Sequence, residues 1–275
     1  MDTTTYLTGA GGVRLAVRET GPAGAPALVL LHGWAQSGAV WQLSSDEFGV
    51  IAADLRGHGA SAAPDDGGYR DPRVWADDVA ALVRHANAPV VLVGWSYGGL
   101  VLTDHLRVHG TAGLAGIVLV GALTELGRGR PGAWVGRTMR AAMPAACDAD
   151  PAVAGPALAE LCAGMSATPL PEEVNRGLLD TALTTPAHVR AGLFQREQDS
   201  REVLAAVDVP ALVLHGREDT VVDPRAAEYA GATIPGATLR RWDGVGHVPF
   251  LERPAEFHRE LHGFARRCTA AEVAR

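Results

Sequence analysis

The segment PVVLVGWSYGG, Pro89 to Gly99, sets one serine among three glycines at the end of an apolar run. Val90 to Val93 is continuously apolar rather than alternating, the pattern of a strand buried on both faces of a parallel sheet. Gly98 to His109, closed by Gly110, reads as a helix. A strand that turns directly into a helix forces its turn residue into a strained conformation. Gly94 and Gly98, two residues before and after Ser96, let the chain pass without a Cβ clash. This context, more than the short G-x-S-x-G pattern, argues against a merely flexible turn. Ser96 is pushed out of the sheet, and the helix behind it offers free N–H groups and a positive dipole end that suit a developing oxyanion.

The same rhythm extends outward from this turn. Predicted strands are Thr5 to Leu7, Val13 to Arg18, Ala27 to Leu31, Val50 to Ala53, Val90 to Val93, Ile117 to Val120, Ala211 to Leu214 and Thr238 to Trp242, the first two forming a hairpin around Gly9 to Gly12. Further helices are expected at Pro72 to Ala86, behind an Asp71 cap, and at Ala255 to Cys268, after Pro254. The alternation predicts an α/β fold with a doubly wound, mostly parallel, eight-stranded sheet. It breaks once. From about Leu123 to Ser200 there is no buried strand, only Ala-rich helical stretches punctuated by Pro131, Pro144, Pro151, Pro156, Pro169, Pro171 and Pro186. A structureless loop of that length is implausible in a compact domain, so residues 123–200 are expected to form a helical lid inserted between core segments 1–122 and 201–275.

Composition removes several function classes. The chain has 275 residues, 47% of them hydrophobic, and a formal charge of −7, with no basic stripe to track a phosphate backbone, so nucleic acid is not an expected partner. All 24 basic residues are Arg. Without lysine there is no Schiff-base chemistry, no covalent pyridoxal phosphate and no P-loop amine. Cys147, Cys162 and Cys268 lack metal-ligand or CxxC spacing and read as reduced thiols. No run approaches the roughly 18 to 20 apolar residues that span a bilayer, and the first residues do not read as a secretory leader, so a cytoplasmic protein is expected.

A serine hydroxyl is a weak nucleophile until an oriented base takes its proton. Of ten histidines, His247 lies in a Gly-rich loop directly after the last predicted strand, whereas His258 and His262 belong to the following helix. His247 is the expected base. The loop His215-Gly216-Arg217-Glu218-Asp219-Thr220 follows another strand end and can place a carboxylate beside it. Asp219 fits best, with Glu218 and Asp223 as fallbacks.

These residues resemble the α/β-hydrolase family. Besides the turn at Gly94 to Gly98, the chain has Leu31-His32-Gly33-Trp34 after the third strand, Asp54-Leu55-Arg56-Gly57-His58-Gly59-Ala60-Ser61 after the fourth, and the acid and histidine loops in the family's order. The resemblance implies Ser96 as nucleophile, Asp219 as acid, His247 as base, and the Trp34 and Tyr97 amides as an oxyanion hole. Members that form an ester with carbon carry Asp at the elbow, so Ser96 points to acyl transfer. The implied reaction is hydrolysis of a small ester or lactone, as in small carboxylesterases. Cofactor-free haloperoxidases or perhydrolases and C–C bond hydrolases run on the same triad. Outside these chemistries stand a hydrolase-fold small-molecule receptor and a non-hydrolytic lyase or cyclase.

No cofactor or metal is expected. His105 with His109, and His258 with His262, have i,i+4 spacing, but neither pair has the Glu directly after the first His that a metalloprotease helix shows, and both are read as helix-surface residues. His32 and Gly33 are expected to shape the oxyanion loop, and Asp54, Arg56 and His58 a structural turn. Trp34, Trp95 and Trp134 are the candidate substrate-binding aromatics. Arg128, Arg130, Arg137 and Arg140 read as a solvated helical face.

Overall fold

The computed structural model describes residues 3–273. Its strands are β1 (Thr3–Thr8), β2 (Arg14–Thr20), β3 (Ala27–Leu31), β4 (Gly49–Ala53), β5 (Val90–Trp95), β6 (Leu114–Val120), β7 (Ala211–Gly216) and β8 (Thr238–Trp242). The α-helices are α1 (Pro72–Ala86), α2 (Gly98–His109), α3 (Arg137–Ala146), α4 (Pro151–Ala163), α5 (Glu172–Thr184), α6 (Ala187–Gly192), α7 (Arg201–Ala205), α8 (Arg225–Thr233), α9 (Pro249–Glu252) and α10 (Pro254–Val273). Among the described residues the strands form one eight-stranded sheet in the order β1-β2-β4-β3-β5-β6-β7-β8.

β1 and β2 make the expected antiparallel hairpin, β2 runs antiparallel to β4, and every later pairing is parallel. The apolar runs are buried on both faces, as continuous rather than alternating patterns require: β3, β5 and β6 have no residue outside the core. β6 begins at Leu114, earlier than the sequence suggests, because Gly116 is not a strand breaker here. A Cβ on Gly116 would sit 2.8 Å from Cys268 Sγ, so the glycine is what allows α10 to approach the sheet. α1 starts as predicted, with Asp71 accepting from the Arg73 amide at 2.9 Å.

After β4 the chain crosses over β3 and pairs on its other side as β5. Connections leaving β3 and β5 therefore diverge, which opens a crevice at the C-terminal strand ends, the usual ligand position in open α/β sheets. Gly94 is paired with Leu31 across β5 and β3, so the loop of His32 to Trp34 and the turn at Ser96 emerge side by side.

The strandless stretch Leu123 to Ser200 carries α3 to α6. Pro151 opens α4, and Pro171 and Pro186 stand immediately before α5 and α6, where a missing N–H costs nothing. The two ends of this stretch meet. Leu126 and Gln198 exchange backbone hydrogen bonds of 2.9 and 2.7 Å, and the buried Glu125 carboxylate accepts from the Gly132 amide and the Tyr229 hydroxyl. Among the described residues no helix is long and apolar enough to cross a membrane.

Candidate active site

Ser96 sits at φ +55°, a left-handed conformation that costs a non-glycine residue of order 1 kcal/mol or more and persists only when its surroundings enforce it. They do so here. The Ser96 amide donates to Val120 O at 3.0 Å, and its carbonyl accepts from the Gly99 and Leu123 amides at 3.0 and 3.1 Å. A Cβ on Gly94 would lie 2.6 Å from Gly98 O, and one on Gly98 would strike Leu31 O. Both glycines are thus required by close backbone approach.

His247 follows β8, and its Nδ1 is 2.8 Å from Asp219 Oδ2, with both side chains buried. Asp219 Oδ1 accepts from the Val221 and Val222 amides at 2.8 and 2.9 Å. Burial alone would raise the Asp219 carboxyl, but the facing His247 and His215 hold it well below the carboxylate range. Asp219 therefore stays ionised and keeps the proton of His247 on Nδ1, leaving Nε2 as the free basic atom. Of the fallback acids, Glu218 is exposed and accepts from the Val245 amide, while Asp223 pairs with Arg225. Asp219 is the carboxylate that the structure puts on His247.

Ser96 and the His247–Asp219 pair converge on the end of β6. The Ser96 amide is bonded to Val120, and a Cβ on the next residue, Gly121, would stand 3.2 Å from His247 Nδ1 and 3.4 Å from Asp219 Oδ2. The Trp95 indole N–H donates to His247 O at 2.9 Å. Trp95 packs between His247, Phe250 and Trp41, so it props the histidine loop rather than forming a pocket wall.

The Trp34 and Tyr97 amides donate to no protein acceptor among the described residues, as a pair of oxyanion donors requires. Their loops are held by polar groups. His32 Nδ1–H donates to Gly33 O at 2.7 Å and Nε2 accepts from the Leu55 amide at 2.9 Å. Burial pushes His32 well below its ordinary value of 6.5, which fixes a neutral ring as a structural bridge. Asp54 ties the same region, accepting from Gly38 N, Ala60 N and Arg18, and Arg56 forms a buried pair with Asp78 at 2.9 Å.

Other expected residues lie elsewhere. Trp134 stacks under Arg225, 4.5 Å from the guanidinium, while its neighbours Ala133 and Val135 line a recess of about 500 Å³ together with Leu126, Met143, Phe194 and Arg196. The half-buried Trp134 ring is thus engaged by Arg225, and it is its two neighbours that line the recess. His105 is not a surface residue: it is buried between α1 and α2, its Nδ1 3.4 Å from Ala76 O. Among the described residues no group of three or more His, Cys, Asp or Glu gathers as a metal site. Arg137 and Arg140 are exposed on α3, and Arg130 pairs with Asp199.

Three residues beside the site escaped sequence reasoning. His215 Nε2 lies 3.0 Å from Asp219 Oδ2 and 3.1 Å from Val222 O; its signal is a histidine closing a buried strand four residues before the acid. Phe194 packs on both Trp34 and Tyr97, with ring centroids 5.6 and 5.9 Å away. Arg190 is buried, and its carbonyl accepts the Trp34 indole N–H at 2.9 Å; an arginine within the otherwise apolar Val189 to Phe194 is the trace it leaves in the sequence.

The sequence profile described as "Alpha/beta hydrolase family" matches residues 28–260. A pimeloyl-(acyl-carrier protein) methyl ester esterase of Vibrio cholerae is 31% identical over 255 residues, spanning 87% of this chain and 94% of that protein. The crystal structure of RhEst1, an esterase from Rhodococcus sp. ECU1013, is similar at a TM-score of 0.90 and 41% identity, covering 96% of this chain and 98% of the other. A bromoperoxidase from Bacillus anthracis shares the fold at a TM-score of 0.84 and 21% identity, over 96% and 100% of the two chains.

Proposed function

The chain belongs to the alpha/beta hydrolase family, and we propose on that basis that it hydrolyses a small carboxylic ester or lactone through an acyl-enzyme on Ser96. The observation that carries this reading is the convergence of a strained serine at φ +55° and a buried His247–Asp219 pair at 2.8 Å on the end of β6. The names of the Vibrio cholerae and Rhodococcus proteins, both esterases, support ester hydrolysis over the other chemistries open to a serine triad.

In the proposed mechanism, His247 Nε2 takes the Ser96 proton as Oγ attacks the carbonyl carbon, with Asp219 stabilising the imidazolium. The carbonyl electron pair moves to oxygen, where the Trp34 and Tyr97 amides receive it; the alcohol leaves with the proton from His247. Water then repeats the sequence in reverse roles and releases the acid. Helices α3 to α6 act as a lid, residues 123–200, over core segments 1–122 and 201–275. Its contacts with every loop of the site support this: Gly136 N donates to Val221 O at 2.7 Å, Gln36 Nε2 to Leu178 O at 3.1 Å, and His247 N to Met165 O at 2.6 Å.

Incubation with a fluorophosphonate and with p-nitrophenyl acetate tests the reading. Adduct on Ser96 with sustained p-nitrophenol release is expected, and Ser96→Ala should lower kcat by about 10⁶-fold with little change in the thermal midpoint, because alanine keeps the Cβ and must hold the same strained φ. Full turnover by Ser96→Ala would overturn the assignment.

A further inference from the structure

We infer that α6 sets the oxyanion hole, with Arg190 as the positioning residue that locks the Trp34 and Tyr97 loops to it. The inference rests on the proposed roles of Ser96, Trp34 and Tyr97.

The two candidate oxyanion residues come from different loops, after β3 and after β5, yet the far ends of their side chains reach the same short helix. The Trp34 indole N–H donates to Arg190 O at 2.9 Å, and the Tyr97 hydroxyl donates to Leu193 O at 2.8 Å. The last carbonyls of a helix lack intrahelical donors. No backbone amide among the described residues takes these two, whereas the Phe194 and Gln195 amides take Ala191 O and Gly192 O. The C-terminus of α6 is thus capped by side chains from the two loops that carry the proposed oxyanion amides, with the Cys147 thiol 3.7 Å from Arg190 O as well. Phe194, directly after, packs against both rings. Each loop is pinned at its side-chain end, which restricts where its backbone amide can point.

α6 is itself held by Arg190. The guanidinium is buried and donates to Ala146 O at 2.8 Å and to Asp148 O at 3.1 Å, beyond α3, and to Thr185 O, beyond α5. Among the described residues its hydrogen-bond partners are these three carbonyls. It gathers the ends of α3 and α5 onto α6, so the position of the oxyanion donors is referenced to the 123–200 segment and not to the sheet alone. Displacing α6 would move both amides together.

Tyr97→Phe removes one hydroxyl and leaves the amide in place; Arg190→Lys cannot reach three carbonyls. Both are measured in the full chain for kcat and KM on p-nitrophenyl acetate, and for the Ki of an aryl trifluoromethyl ketone. Ser96 Oγ adds to the carbonyl carbon of that ketone, its proton passes to His247, and the carbonyl electron pair becomes an oxyanion held by the two amides. The expected result for each variant is a fall in kcat of about tenfold, a matching rise in Ki, and KM within about twofold. The double variant should lose less than the product of the singles, because both act through one element. A Tyr97→Phe enzyme with kcat and Ki within twofold of the parent overturns the inference. So does one with a lower thermal midpoint and unchanged Ki, which would make the bond merely structural. If Arg190→Lys does not fold, Tyr97→Phe decides alone. Failure of a fluorophosphonate to label Ser96 in the parent overturns the nucleophile assignment and the inference with it, whereas a labelled parent with unaffected variants overturns only the latter.

Discussion

At the scale of single residues, the carboxylate behind His247 is chosen by burial. Glu218, Asp219 and Asp223 share one loop and one charge, but only Asp219 is buried against the imidazole, and only it has two backbone amides and two histidines as donors. Asp219→Asn should therefore cost about 10⁴-fold in kcat, because the amide presents the wrong group to His247 Nδ1 and turns its tautomer. Glu218→Gln and Asp223→Asn should leave kcat within about twofold, since surface substitutions away from the site are nearly neutral. A steady-state comparison of the three variants checks this, and a large loss at Glu218 or Asp223 with little at Asp219 would reassign the acid. Ser96, His247 and Asp219 were legible because each sits in a short motif at a strand end. His215 was not, since a histidine closing an apolar strand gives no sign of which carboxylate it will face until the loop folds back.

At the scale of elements, the elbow between β5 and α2 shows how a packing constraint becomes visible in sequence. Gly98 lies against Leu31 O and His32 O, the backbone of the neighbouring strand's exit loop. Gly98→Ala must push that backbone away, and overpacking of this kind costs about 1–3 kcal/mol. Urea unfolding should show a lower midpoint with an unchanged m-value; an unaltered midpoint would mean that the loop yields freely and that the glycine is not required by sterics. The same reasoning explains where element boundaries differ from expectation. Gly116 reads as a break but belongs to β6, because α10 needs the space beside it. Prolines in the 123–200 stretch mostly open helices, although Pro144 and Pro156 lie within α3 and α4, positions that propensity alone disfavours and that tertiary packing overrides.

At the scale of the whole molecule, buried titratable groups tie stability to pH. Burial lowers His58 and His105 to about 4 and holds His32 well below its ordinary 6.5. These rings are neutral in the folded state, while the unfolded chain binds protons near pH 6.5. The stability they contribute is complete above 6.5 and is lost as pH falls toward 4, at up to about 1.4 kcal/mol per pH unit for each. Asp104, raised to about 6 by burial despite its pairing with Arg196, works the other way. Between pH 6 and its ordinary 3.8 the folded form holds more proton than the unfolded chain, so this group stabilises on acidification. Half-buried His258 and His262 are lowered in the same way, and buried Asp78 and half-buried Glu252 are raised like Asp104; with five histidines against three carboxyls, the urea midpoint should fall between pH 7 and pH 5. A midpoint that is flat or rises over that interval would show that the histidines are hydrated and titrate normally.

By itself the sequence determined the alternation of buried strands and helices, the sheet of eight strands, the position of the strained serine, and the loops that carry His247 and Asp219. Those features are local: an apolar run, a glycine two residues from a serine, or a turn after a strand has the same meaning wherever the chain goes. Only the tertiary structure decided what meets at a distance. It turned Trp95 under the histidine loop, took Trp134 to a stack with Arg225, buried His105 between two helices, and brought His215 to Asp219 and α6 to the Trp34 and Tyr97 side chains. Such contacts join residues up to 156 positions apart, and they depend on crossing order, close helix approach and the unmet carbonyls of a helix end, none of which leaves a period or a spacing in the chain.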